Sequence, residues 1–92
     1  MSVAELVADW LAKVGIDQVF SVTGGGSMFL NQAFGNHPNL NCTYMHHEQA
    51  CAMAAEGYAR ITGKPAVVLV TTGPGAINAL NGVFGAYTDS IP

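Results

Sequence analysis

Helical and strand-like segments alternate along the whole chain, and this alternation limits the fold more than any other feature of the sequence. Apolar side chains at helical spacing mark residues 3–14, and Ser2 with Glu5 forms a capping box at their start. The remaining segments are typical of strands at residues 18–22, 40–45 and 66–71, and of helices at residues 27–34, 48–61 and from Gly75 onward. This order predicts an α/β fold, in which a parallel sheet carries helices on both faces.

Two local details refine this prediction. Residues 66–71 form a continuous apolar run, which is typical of a strand buried on both faces of its sheet. Ser27 precedes the second helical segment and is therefore expected to cap it. Because three strands make a thin sheet, we expect residues 1–92 to form one incomplete domain.

The chain carries few charges for its length. Of its 92 residues, 50% are hydrophobic and 10% are charged, so we expect much of the surface to be covered in an assembly. The net charge of −3, with only Lys13, Arg60 and Lys64 as cations, argues against a nucleic-acid surface. No stretch is long and apolar enough to predict a membrane span. The cysteines form no CxxC pair and no signal segment is visible, so the expected compartment is the cytoplasm.

Residues suited to ligand binding follow each predicted strand. In open parallel sheets, ligands bind beyond the carboxyl ends of the strands. These ends lead into residues 23–26, 46–49 and 71–75, of which the first and the last are rich in glycine. The middle segment carries His46, His47 and Glu48. Glycine lets the backbone approach a ligand closely, so the sequence predicts an active site at this edge of the sheet.

Each of these features also has a simpler interpretation. The glycines at residues 24–26 suit sharp turns and do not match GxGxxG, and residues 57–64 fail the phosphate-loop spacing. The histidine pair lacks the spacing of a metal site, so we predict no metal ligand in this chain. Glu48 could serve only the helix dipole. The small residues at 50–57 suit close helix packing within the chain or against a partner subunit, and their periodicity does not separate the two.

Several motifs resemble one known superfamily in order and spacing. They are His47-Glu48-Gln49-Ala50, residues 54–60 and 62–65, Thr72-Gly73-Pro74-Gly75-Ala76 with Asn78, and residues 86–92, together with the first strand and its glycine turn. The chain resembles, over nearly its whole length, the thiamine-diphosphate-dependent enzymes of the acetolactate synthase, pyruvate oxidase and benzoylformate decarboxylase type. The resemblance implies that residues 1–92 are the N-terminal part of the domain that binds the cofactor's pyrimidine, with later domains absent.

The resemblance implies a role for individual residues. Glu48 would hydrogen-bond N1′ of the aminopyrimidine and promote removal of the proton at C2 of the thiazolium ring. Pro74 and Gly75 would lie along the pyrimidine, and Asn78 would help to hold that segment. The loop of Thr23, Gly24 and Gly25 would approach the substrate.

The resemblance also implies an activity and an assembly. The expected protein is a lyase or carboligase acting on a 2-keto acid, with thiamine diphosphate at the interface of a homodimer or homotetramer. Mg²⁺ would be bound with the diphosphate by a domain outside this chain, FAD is allowed as an additional cofactor, and residues 1–92 alone would be inactive. Thr23 stands where many members have proline, and Ile77 where threonine is common, so the substrate stays open. The alternative is a non-catalytic assembly or regulatory module of the same fold.

Overall fold

The computed structural model describes residues 1–92, which form four helices and three strands. The helices are α1 (Val3–Lys13), α2 (Met28–Asn36), α3 (Glu48–Thr62) and α4 (Pro74–Thr88). The strands are β1 (Gln18–Ser21), β2 (Asn41–Tyr44) and β3 (Val67–Leu69), and a 3₁₀ turn at Gly25–Ser27 precedes α2. The predicted order of helices and strands is therefore confirmed.

The strands form one parallel sheet in the order β2-β1-β3. Val19 of the central strand lies opposite Cys42 on one side and Val67 on the other. Since both neighbours run parallel to β1, the carboxyl ends of all three strands lie at the same edge. The loop that follows β1 is thus flanked by the segments that follow β2 and β3.

Helices cover both faces of this sheet, as the sequence predicts. On one face, α1 and α2 close a core of Ala8, Val19, Phe34, Leu40 and Leu69. The next residue along β1, Phe20, lies on the opposite face, where its ring meets Tyr58 of α3 edge-on with centroids 6.4 Å apart. Alternate residues of one strand therefore pack on different helix layers, as strand geometry requires.

The start of α1 confirms the predicted capping box. The Ser2 hydroxyl accepts a hydrogen bond from the Glu5 backbone N–H at 3.1 Å, and the Glu5 carboxylate accepts one from the Ser2 N–H at 2.9 Å. This reciprocal pair satisfies two N–H groups that a helix start leaves free. After the helix, Gly15 adopts a φ of 93°, a conformation that side chains with a Cβ disfavour.

Two of the local predictions are wrong. Strand β3 is buried only at Leu69, because it is an edge strand of this sheet and Val67 and Val68 are half-buried. Ser27 makes no capping hydrogen bond to α2. Its hydroxyl instead donates to the Asn31 side-chain oxygen at 2.6 Å.

Helices α3 and α4 pack closely through small residues. Gly82 of α4 is buried against Ala52, and a methyl group added at Gly82 would overlap the Ala52 side chain and lie 3.1 Å from the Met53 backbone nitrogen. Cys51, Ala52, Ala55 and Ala59 are the buried residues of α3. At least part of the small-residue series at 50–57 is therefore explained by packing within the chain.

Large apolar side chains remain exposed on all four helices. On α1 these include Leu6 and Trp10, and on α4 they include Ile77, Phe84 and Tyr87, all more than half exposed. Many of the hydrophobic residues of the chain therefore lie outside its core. None of the helices combines the length and the apolar character that crossing a membrane requires.

Asp17, at the opposite edge of the sheet from the glycine-rich turns, gives a prediction about pH. Its carboxylate accepts hydrogen bonds from the Tyr58 hydroxyl at 2.5 Å and from the Lys64 ammonium at 3.2 Å. The bond from Tyr58, followed by that from Lys64, holds the pKa of Asp17 below its ordinary value. Because the folded-state pKa is the lower one, the stabilisation is present above the unfolded-state pKa and is lost as the pH falls through the folded-state pKa.

We therefore expect Tyr58→Phe to reduce the loss of stability on acidification. The measurement is the free energy of unfolding in urea at about pH 6 and about pH 3, compared with the parent protein. The effect should be small, since the Asp17 side chain is 49% exposed and water screens the interaction. Tyr87→Phe is the matched control, because Tyr87 is 80% exposed. An unchanged pH dependence in Tyr58→Phe would contradict the assignment.

Candidate functional site

The segments after the three strands meet at one edge of the sheet. Backbone hydrogen bonds continue past the strands there, from Val22 N–H to Leu69 C=O at 3.3 Å and from Met45 N–H to Ser21 C=O at 2.8 Å. These bonds hold the chain in register up to the first residues of the loops. Helices α3 and α4 begin at this edge, at Glu48 and Pro74.

Glu48 is the first residue of α3, and its position is fixed by the cap of that helix. The imidazole Nδ1 of His47 accepts a hydrogen bond from the Gln49 backbone N–H at 3.0 Å, so the helix begins at Glu48. The Glu48 side chain is half-buried, and its Oε1 accepts a hydrogen bond from Asn78 Nδ2 of α4 at 3.3 Å. The carboxylate keeps its other oxygen free of protein hydrogen-bond partners.

Gly75 brings the start of α4 against this carboxylate. A Cβ added at Gly75 would lie 3.3 Å from Glu48 Oε2 and 2.9 Å from the Thr71 methyl carbon. Gly75 itself is buried, whereas Pro74 beside it is exposed. The preceding Gly73 adopts a φ of 68°, which lets the chain turn sharply into the helix.

Thr71, which the sequence analysis did not single out, lies at the centre of the site. Its side chain faces three glycines, because a Cβ would lie 2.5 Å from it at Gly24, 2.8 Å at Gly26 and 2.9 Å at Gly75. Its hydroxyl also accepts a hydrogen bond from the Gly26 backbone N–H at 3.0 Å. A polar residue at a strand end, between two glycine-rich turns, is the signal that could have found it.

A buried polar chain lies beneath the loop at residues 24–26, called here the glycine loop. Ser27 donates to the side-chain oxygen of Asn31 at 2.6 Å, and Asn31 donates to the Ser21 hydroxyl at 2.9 Å. The Ser21 hydroxyl in turn donates to the Leu69 carbonyl of β3 at 2.8 Å. Ser21 and Ser27 are both buried and Asn31 is half-buried, so these bonds tie the loop and α2 to the sheet with little access for water at the two hydroxyls.

The structure brings some of the predicted site residues together and leaves others apart. Glu48, Gly75 and Asn78 are in direct contact range, and Gly24 joins them through Thr71. Thr23 and Pro74 lie at the same edge but are exposed, and neither hydrogen-bonds to Glu48. Gly25 faces open space. His46 is exposed and makes no side-chain hydrogen bond.

The charges near the site are few. Arg60 pairs with Glu56 at 2.9 Å and with Asp89 at 2.6 Å, and Lys64 pairs with Asp17, so neither serves Glu48. One turn along α3, burial raises the pKa of the Cys51 thiol, and the charge of Glu48 adds to this effect. Cys51 is therefore held as a neutral thiol beneath the carboxylate.

The site is an open edge rather than a closed cavity. A surface groove of about 760 Å³ lies between α1 and α2 and contains none of the predicted site residues. At the Glu48 edge, a free carboxylate oxygen, the Asn78 amide and side-chain-free glycines lie next to one another. This arrangement offers a carboxylate oxygen as a hydrogen-bonding partner for a ligand, and it offers no cation for a phosphate group.

Comparison with known proteins adds independent findings. Residues 1–92 match the family described as thiamine pyrophosphate enzyme, N-terminal TPP binding domain. The acetolactate synthase large subunit of Haemophilus influenzae is 44% identical over 92 residues, which is 100% of this chain and 16% of that protein. A chloroplastic acetolactate synthase of Arabidopsis thaliana is 39% identical over 89 residues, covering 97% of the chain and 13% of that protein. The large subunit of Lactococcus lactis is 41% identical over 89 residues, and the chain spans 16% of it.

Proposed function

The chain belongs to the thiamine pyrophosphate enzymes, as an N-terminal TPP binding domain, and we propose that it supplies the cofactor-activating glutamate of an acetolactate-synthase-like enzyme. The proposed reaction is decarboxylation of a 2-keto acid, followed by release or by ligation to an acceptor. The observation that carries this proposal is the half-buried Glu48 carboxylate, with one oxygen bonded to Asn78 and the other beside Gly75.

Each neighbour of Glu48 has a defined part in the proposal. Glu48 accepts or donates the proton shared with N1′ of the aminopyrimidine, and Asn78 orients the carboxylate through its amide. Gly75 and Pro74 would line the ring. The absence of a side chain at Gly75 leaves the space beside Glu48 open for it. When bound, thiamine diphosphate supplies the electron sink for decarboxylation.

The substrate is proposed to meet the loop that follows β1. Thr23 is exposed, and Gly25 has open space beside it, so a small 2-keto acid could approach this backbone without a steric barrier. The diphosphate and Mg²⁺ are proposed to be held by another domain. The engagement of Arg60 and Lys64 in ion pairs remote from Glu48 supports this division.

The enzyme is proposed to be a homodimer or homotetramer. The exposed apolar side chains of α4, among them Ile77, Phe84 and Tyr87, support an assembly that covers them. Placement of residues 50–57 of α3 at the contact remains a prediction. The cytoplasm is the proposed compartment; the bacterial relatives have no organelle in their names, whereas the relatives from Arabidopsis and Brassica are chloroplastic.

The complete enzyme tests this function directly. We expect it to release carbon dioxide from pyruvate or a related 2-keto acid only when thiamine diphosphate and Mg²⁺ are both present. Residues 1–92 alone, titrated with the cofactor in a calorimeter, should show no binding, since the pyrimidine contacts cover little area. Failure of a series of 2-keto acids in the cofactor-loaded enzyme would contradict the activity, and micromolar binding by the isolated chain would contradict the proposed division of the cofactor site.

A further inference from the structure

We propose that Thr71 is a positioning residue, whose hydroxyl fixes the glycine loop at a set distance from Glu48 and thereby shapes the place where the substrate binds. This inference rests on the proposed function, since it assigns the glycine loop to the substrate side of the site. Thr71 acts on the position of the loop and takes no part in the proton transfer proposed for Glu48.

The contacts around Thr71 carry this inference. The hydroxyl accepts the hydrogen bond from Gly26 N–H at 3.0 Å, and this bond joins the loop after β1 to the end of β3. The same side chain lies so near to Gly24 and Gly75 that a Cβ at either position would be within 2.9 Å of it. Thr71 thus fills the space between the loop and the start of α4, and the glycines provide that space.

The other side of the loop is already fixed. Ser27, Asn31 and Ser21 form a continuous hydrogen-bonded chain beneath it that ends on the Leu69 carbonyl. The Ser27 N–H also donates to the Gly24 carbonyl at 3.3 Å. None of these bonds joins residues 24–26 directly to the segment after β3, so the Gly26–Thr71 bond makes that connection.

The two parts of the Thr71 side chain have separate tasks. The hydroxyl holds Gly26, whereas the methyl group packs near Gly75, on the side of Glu48. Replacement by valine removes the hydroxyl and keeps the shape, so it should loosen the loop without moving Glu48 or Asn78. Replacement by serine keeps the hydroxyl and should therefore retain the position of the loop.

The test compares Thr71→Val and Thr71→Ser in the complete enzyme. For Thr71→Val we expect KM for the 2-keto acid to rise about two- to tenfold with little change in kcat, as the loss of one hydrogen bond implies. Exchange of the C2 proton of the bound cofactor should stay at the parent rate, and Thr71→Ser should restore the parent KM. Hydrogen–deuterium exchange at the Gly26 amide, followed by mass spectrometry, should accelerate in Thr71→Val only.

Thr62→Val is the matched control. Thr62 also accepts a backbone N–H, that of Lys64 at 3.1 Å, but it lies at the far end of α3, about 20 Å from Glu48 along the helix. Thr62→Val should leave both KM and the exchange rate of the Gly26 amide unchanged. If Thr71→Val changes neither the exchange rate of the Gly26 amide nor KM, or changes only one of them, Thr71 does not have this role. A slower exchange of the C2 proton of the bound cofactor in Thr71→Val would also overturn it. A parent enzyme without 2-keto acid turnover would instead refute the proposed function, while the amide exchange would still report whether Thr71 holds the loop.

Discussion

Replacing Glu48 with glutamine is expected to slow exchange of the C2 proton of bound thiamine diphosphate by about two to four orders of magnitude in the complete enzyme. Glutamine has nearly the same shape, and its side-chain oxygen can still accept the hydrogen bond from Asn78 Nδ2 that Glu48 Oε1 accepts at 3.3 Å. The helix start should also persist, because the cap on α3 comes from His47. The substitution therefore removes the ionisable group while it preserves the surrounding contacts.

The measurement is proton–deuterium exchange at C2, followed by NMR after rapid quenching. Glu56→Gln is the matched control, since it makes the same chemical change two turns further along α3. Glu56 pairs with Arg60 at 2.9 Å, so this control should weaken a surface ion pair and leave the exchange rate at the parent value. Parent-like exchange in Glu48→Gln would remove Glu48 from the mechanism.

The features that the sequence predicts well are those set by neighbours along the chain. The capping box of Ser2 and Glu5 depends on residues three apart, and the helix at Val3–Lys13 depends on local periodicity. The convergence of the three loops follows from a general property of parallel sheets, which applies once the alternation is recognised. Glu48 could be singled out because a strand end and a helix start coincide there.

The features that the sequence does not reveal depend on contacts between distant residues. The part of Thr71 in the site follows from the register of β1 and β3, which brings Gly24 and Gly26 to a residue more than forty positions later. Ser27 makes no capping bond, and its hydroxyl is turned toward the side chain of Asn31, one turn into α2. The apolar run at residues 66–71 predicts burial on both faces, but burial at an edge strand depends on what lies beside it. The local sequence pattern predicts whether a segment is a helix or a strand, but it does not predict which other elements pack against that segment.

The close crossing of α3 and α4 leads to a prediction about stability. Gly82→Ala should lower the free energy of unfolding by about 2 kcal/mol, which is within the usual cost of overpacking a close contact. The added methyl group would overlap Ala52 and approach the Met53 backbone nitrogen to 3.1 Å, so a change of rotamer cannot relieve the clash and the helices must separate. The better helix propensity of alanine, worth about 1 kcal/mol, opposes this loss but does not cancel it.

Gly85→Ala separates the effect of the crossing from that of helix propensity. Gly85 lies one turn further along α4, and a methyl group there would meet only the Glu56 carboxylate, at an ordinary contact distance of 3.6 Å. This control should therefore be as stable as the parent or more stable by up to about 1 kcal/mol. Urea unfolding of the complete enzyme and both variants gives the comparison. If Gly82→Ala is also as stable as the parent, the two helices do not cross at Ala52 as closely as described. Since α3 begins at Glu48 and α4 carries Asn78, the geometry proposed for the carboxylate would then lose the packing that holds it.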